Sequence, residues 1–306
     1  MIILKKKYIV LLLLVLLIGV LFLYKEDIFK FYADHFIAKN KIVTLQNKNE
    51  YFQNQSFNFV QVTDNFSPTS MQDLLNIYYT VIDSGNSSFS FYCPEAYVNC
   101  IDDVKALAND QTTLSNINNF VHPFNGFKHI ETEYDSIGKV TIRLEKTYTS
   151  DKIKAVNEKV ETVYKEEVMN KSTDEDKIKA AHDYIINNSK YDKDRSDKKL
   201  VQYDSDTAYG NLIQGYGLCG GYTDSMALFL DKIGVKNFKV ASDNHVWNAV
   251  LLDNVWYHLD LTWDDPVTTD GKDILEYNFF LITTDELQTL EDAQHNFNAK
   301  VYSELN

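Results

Sequence analysis

Two β-rich runs separated by one polar dipeptide constrain this chain more than any other feature. Val246 to Leu252 and Val255 to Trp263 are dense in Val, Leu, Trp and Tyr, and they flank Asp253-Asn254. Two such residues between strands read as a hairpin turn, because both tolerate the left-handed backbone that a two-residue connection demands. Pairing Leu252 with Val255 then sets His245 opposite Thr262 and Trp247 opposite Asp260. Side chains alternate across a sheet, so His245 and Asp260 share a face as diagonal neighbours, roughly 7 Å apart between backbone positions. An imidazole and a carboxylate can meet at that separation, as they do where an acid orients a base. A one-residue bulge would undo the arrangement.

Upstream, Gly215-Tyr216-Gly217-Leu218-Cys219-Gly220-Gly221-Tyr222 places a cysteine between glycines. Tyr222, Met226, Phe229, Leu230 and Ile233 follow at helical spacing, and Gly234 marks the stop. Cys219 therefore opens a buried helix, where unsatisfied amides and the helix dipole favour thiolate and small neighbours let a substrate approach the sulfur. A cysteine in an apolar helix is more often plain core; the glycines shift the balance. Thiol, imidazole and carboxylate together are the minimum for acyl transfer. His258 and His182 compete as bases, but His258 lacks an acid at the matching spacing. His182, beside Asp183 in the preceding helix, reads as structural.

The segments KIKAAHDYIINNSKYD, TAYGNLIQGYGLCGGYTDSMALFLDKIG and HVWNAVLLDNVWYHLDLTWDDP, together covering about residues 177 to 266, resemble the transglutaminase-like superfamily. The resemblance implies a papain-like α+β core, helices packed on an antiparallel sheet, with Cys219 as nucleophile, His245 as base and acid, and Asp260 as the orienting residue. The family's usual D-G-x-W-Y turn stands here as Asp253-Asn254-Val255-Trp256-Tyr257, a mild departure because Asn also adopts the left-handed conformation. The backbone amide of Cys219 is a natural oxyanion donor, and Gln214 or Tyr209 is a candidate for a second. Trp247, Trp256 and Trp263 read as core, with Trp247 the one placed to wall a cleft.

The rest of the chain supplies context. After Lys5, Lys6 and Lys7, the 17 residues from Tyr8 to Tyr24 carry no charge, about 25 Å of helix. No small-x-small site precedes Lys25-Glu26-Asp27, which favours an uncleaved anchor over a removed signal peptide. The expected organisation is a basic tail at 1–7, a transmembrane anchor at 8–24 and a polar stalk at 25–45. A smaller α+β domain at 46–149, a helical linker at 150–170 and the transglutaminase-like domain at 171–306 follow. In the smaller domain Phe57 to Thr63 alternates like a strand, Ser70 with Asp73 resembles a capping box, and a helix is expected from Pro94 to about Asn109. Further strands are expected at Ser88 to Tyr92, Lys128 to Tyr134 and Lys139 to Tyr148. Ser172 with Glu175 forms a second apparent capping box. Asp192 to Asp197 imitates a calcium loop but lacks its glycine and twelfth ligand, so it reads as a solvated loop.

Three cysteines in an exported chain suggest one pair and one free thiol. Cys93 and Cys100 are either that pair or two small buried residues, and their spacing fits no zinc site. A net charge of −14 argues against nucleic acid as a partner. The expectation is a membrane-anchored, extracytoplasmic cysteine enzyme that needs no cofactor or metal. It would act through a thioester on Cys219 on a protein or peptide substrate of the cell envelope, with hydrolysis ahead of cross-linking. The alternative is a catalytically silent binding or assembly module on the same fold.

Overall fold

A computed structural model describes residues 2–32, 43–267, 274–290 and 293–306, the side chains of 2–12 and of residue 30 excepted. Helix α1 spans Ile2–Leu23 and α2 spans Lys25–Tyr32. Part of the expected stalk is thus helical, while its residues 33–42 lie outside the described ones. Among the described residues no helix is long and apolar enough to cross a membrane. The run at 8–24 lies only partly within them, since side chains are described from Leu13 onward.

Residues 43 to 149 form a sheet with helices on one side. The order is α3 (Met71–Asp83), β1 (Ser88–Tyr92), α4 (Cys100–Asn109), α5 (Gln111–Asn118), β2 (Phe127–Tyr134) and β3 (Lys139–Lys146), the strands antiparallel in the order β1-β3-β2. Ser70 caps α3 by accepting from the Asp73 amide at 3.2 Å. Asp73 turns instead to the Thr69 amide and hydroxyl, so only half of the expected box forms. The strand expected at Phe57 to Thr63 does not form. Its amides are taken one at a time, Gln61 by Asn76 Oδ1, Val62 by Ser56 Oγ and Thr63 by Thr80 Oγ1, and no strand lies alongside to complete a ladder. The helix expected from Pro94 starts only at Cys100, after a turn in which the Tyr97 amide donates to the Pro94 carbonyl. That turn brings Cys93 and Cys100 together as a disulfide, leaving Cys219 as the free thiol.

The second half begins with α6 (Ser150–Val163), continued by a π-helical turn over Tyr164–Val168, and α7 (Asp174–Asn188). The cap of α7 is Thr173, not Ser172: its side chain accepts from the Asp176 amide at 3.0 Å. Both residue types can cap, and the one immediately before Asp174 does so. Then come β4 (Lys190–Tyr191), α8 (Lys193–Lys198) and β5 (Tyr216–Gly217), with β4 and β5 parallel. Helix α8 replaces the expected loop because Asp192 caps it through the Arg195 amide. Helix α9 (Cys219–Ile233), β6 (Asn237–Ala241), β7 (Val246–Leu252), β8 (Val255–Leu259) and α10 (Thr284–Thr289) complete the order.

The sheet β6-β7-β8 is antiparallel, and Leu252 pairs with Val255 as the turn chemistry demands. Asp253 and Asn254 take φ of 51° and 63°, the left-handed pair of a two-residue hairpin. Helix α9 is buried between α7 and this sheet, with Met226, Phe229 and Leu230 in the core. Burial of each such side chain stabilises the fold by roughly 1.5 to 3 kcal/mol. The other apolar cluster crosses the middle of the chain: Phe57 and Phe120 pack on Phe238, and the cluster continues through Trp247 to Tyr302. The Lys239 amide of β6 also donates to the Asn119 carbonyl. The sheet that carries the hairpin is thereby seated on the first half of the chain.

Candidate active site

Cys219 is the first residue of α9, preceded by Leu218 in extended backbone that supplies no side-chain cap. The amides of the first helical turn have no acceptors within the helix, so they point toward whatever sits at Cys219. Glycine is required beside it, because a Cβ on Gly221 would collide with the Ser205 carbonyl. That carbonyl also accepts from the Leu218 amide at 2.7 Å, locking the 204–207 loop against the helix start. Thr223 ties α9 to β7 by donating its hydroxyl between the carbonyls of Cys219 and Val246, and Asn248 adds a bond to the Thr223 carbonyl. The cysteine and the strand after His245 are therefore held in one frame.

Beyond the paired part of the hairpin, His245 and Asp260 meet: Nε2 lies 2.5 Å from Oδ2, both groups buried. The Cys219 thiol lies close enough to the ring to raise its proton affinity and lines the same cleft. With Nε2 committed to the carboxylate, Nδ1 is the nitrogen left for sulfur. Burial works against charge on His245, yet Asp260 and the Cys219 thiol push its proton affinity up to about 10. Burial likewise opposes charge on Asp260, but His245 and His295 hold it at about 2. Asp260 Oδ1 accepts from the Thr262 amide at 2.9 Å, which fixes the plane of the carboxylate.

Cys219 stands where two open clefts join. One, of about 270 Å³, runs past Tyr191, Asn244, His245, Thr262 and Trp263; the other, of about 320 Å³, passes Arg195, Lys199 and Asp206. Neither oxyanion candidate lines them. Gln214 uses Oε1 to accept from the Asp204 amide, and the ring of Tyr209 packs beneath Lys152. Tyr191 and Asn244 border both clefts and carried no distinguishing sequence signal. Trp247 is fully buried, 5.6 Å from and nearly parallel to His245, so it backs the imidazole while Trp263 borders the cleft.

The competing histidines have other tasks. His258 accepts from Trp247 Nε1 at its Nδ1, so its Nε2 carries hydrogen and donates to Thr284 Oγ1, which in turn donates to the Leu305 carbonyl. Burial, helped by nearby His295, lowers its proton affinity to about 3 and keeps it neutral. His182 bridges Asp183 and Asp264 in the core, as its sequence position suggested. Burial opposes its charge, but the two carboxylates leave its proton affinity above the usual value.

A residue absent from the sequence reading completes the cluster. His295 Nε2 lies 2.9 Å from the same Oδ2 of Asp260 that His245 contacts. His245, Asp260 and His295 thus offer three ligand-type atoms within 4.8 Å of one another. Their spacings of 2.5 and 2.9 Å are those of hydrogen bonds. Ligands about 2.0 to 2.1 Å from a tetrahedral zinc would stand ~3.3 Å apart, so the donor set fits shared protons better than a cation.

Residues 161–261 match the model of the Transglutaminase-like superfamily, a stretch that holds Cys219, His245 and Asp260 and leaves out His295. This stretch of the chain is similar to the core of that superfamily. Among solved structures the chain is similar to that of a TGase, at 14% identity and a TM-score of 0.34, covering 59% of this chain and 64% of that one. It is also similar to a candidate cysteine protease from Cytophaga hutchinsonii, at 15% identity and a TM-score of 0.28, covering 48% and 65%. The chain spans a little under two thirds of the length of each. No curated protein matches it.

Proposed function

We propose that this chain is a membrane-anchored, extracytoplasmic cysteine enzyme that cleaves amide bonds in protein or peptide substrates of the cell envelope. The observation that carries the reading is the His245–Asp260 pair at 2.5 Å beside the Cys219 thiol, where two open clefts join. His245 takes the thiol proton, and the sulfur attacks the amide carbonyl. The resulting oxyanion faces the amides that open α9. As the C–N bond breaks, the imidazolium gives its proton to the leaving amine, leaving a thioester on Cys219. His245 then takes a proton from water, hydroxide adds to the thioester, and the acid departs as the sulfur recovers its proton. Hydrolysis stands ahead of transfer to an amine because the clefts are open to solvent, so water reaches the thioester without a built amine site.

Two features support the location. Leu13 to Leu23 are exposed around the whole of their helix, which suits burial in lipid, and the Cys93–Cys100 disulfide suits an oxidising compartment. Protease added to intact spheroplasts should remove the body while sparing the anchor; a body that survives there and is cut only after lysis would place it inside.

The chemistry is tested by the pH dependence of iodoacetamide alkylation at Cys219, the free thiol. In the wild type, alkylation should persist well below the range of an ordinary cysteine, ~8.5, and His245→Ala should return it there. A wild-type profile at the ordinary midpoint, unmoved by the substitution, would favour a silent binding module.

A further inference from the structure

We propose that His295 is a positioning residue of the catalytic unit, holding the same Oδ2 of Asp260 that His245 contacts so that the carboxylate cannot turn away from the base. The proposal rests on the catalytic reading of Cys219, His245 and Asp260. Asp260 Oδ2 receives both His245 Nε2 at 2.5 Å and His295 Nε2 at 2.9 Å, while Oδ1 receives the Thr262 amide at 2.9 Å. Three donors on two oxygens define one orientation of the side chain. Without His295, among the described residues Oδ2 would be held by His245 alone, whose ring is also the one that exchanges a proton with the thiol.

The ring of His295 is itself fixed. It stacks on Phe279 at 4.8 Å and 18°, and the indoles of Trp247 and Trp263 meet it edge-on at 4.8 and 5.2 Å. His245 closes the box at 5.2 Å, nearly perpendicular. This is an aromatic seat that opens at Nε2 on Asp260. Phe279 is in turn anchored, since its amide donates to Asp264 Oδ1 and its carbonyl accepts from the Asp260 amide. His295 arrives on a short 3-10 turn, Ala293–His295, so the segment after α10 reaches back to complete a site built by α9 and the hairpin. A histidine fills this place because it is flat enough to stack and still offers an N–H at its tip.

The contribution is separable from packing. His295→Phe keeps a ring in the seat and removes the donor, whereas His295→Gln keeps an N–H where Nε2 was and gives up the stacking. The full chain in detergent, with the Cys93–Cys100 disulfide intact so that Cys219 is the free thiol, is alkylated with iodoacetamide across pH, with His245→Ala as the reference. The midpoint for His295→Phe should move up by roughly one pH unit, because a wandering Asp260 supports the imidazolium less well, and the rate at neutral pH should fall about tenfold with it. His295→Gln should recover most of both. If His245→Ala shifts the profile but His295→Phe matches wild type, or if Gln is displaced as far as Phe, His295 is only packing and the proposal falls. If His245→Ala leaves the profile where it was, the catalytic reading falls, and this inference with it.

Discussion

His245 and His258 belong to one hairpin, are both buried, and end with opposite affinities for a proton. His245 lies at its open end, just before β7, with Asp260 against Nε2 and the Cys219 thiol close by, and its proton affinity rises to about 10. His258 lies within β8, where its Nδ1 accepts from Trp247 and its proton affinity falls to about 3. Burial alone disfavours a charged imidazole in both places. What separates them is the neighbour: a carboxylate that cannot lose its charge, or an indole N–H that only an unprotonated nitrogen can accept. A single element thus carries a histidine able to shuttle protons and another that holds the structure together.

The comparison breaks most visibly at Asp260. Asp260→Asn should lower acylation of Cys219 by about 10⁴-fold, because an amide cannot support the imidazolium and can offer the wrong hydrogen-bonding group to Nε2. Single-turnover kinetics with an activated ester would measure it. A loss under tenfold would mean that His245 does not depend on its acid.

A smaller effect is expected at the other histidine, and on stability instead of chemistry. His258→Phe orphans the buried N–H of Trp247 and should cost about 1 to 3 kcal/mol in urea unfolding near neutral pH, with alkylation of Cys219 unchanged. The cost should shrink as the medium becomes acidic. Because the folded-state proton affinity of His258 is lowered, the unfolded chain takes up its proton first, below pH ~6.5. The wild type therefore loses that part of its stability as pH falls from there toward 3, whereas the phenylalanine variant has no such proton to bind. A deficit that stayed constant from pH 7 to 4 would show that His258 is not held neutral.

Much of the site was legible because it depends on local periodicity. The Asp253-Asn254 turn set the pairing of Leu252 with Val255, and that register runs as far as Asn248 opposite Leu259, with His245 and Asp260 meeting just beyond it. Glycines flanking Cys219 marked a helix start under close packing, and Gly234 marked the end. Features that depend on distant partners were less legible. Phe57 to Thr63 has strand-like alternation but no neighbouring strand, so its amides went to side chains of α3 and elsewhere. Gln214 and Tyr209 stand shortly upstream of Cys219 in sequence, and the turns around them send one to the Asp204 amide and the other under Lys152.

What the sequence determined by itself, then, was the hairpin register, the cysteine at a helix start and the order of the three groups, because turn preference and side-chain alternation act over a few residues. Tertiary structure alone decided the rest. Nothing near His295 distinguishes it from a surface histidine. It joins Asp260 only because the chain after α10 folds back and the rings of Phe279, Trp247 and Trp263, distant in sequence, close a seat around it. The opposite charge states of His245 and His258 were equally out of reach, since each depends on which polar atom faces the ring once water has been excluded.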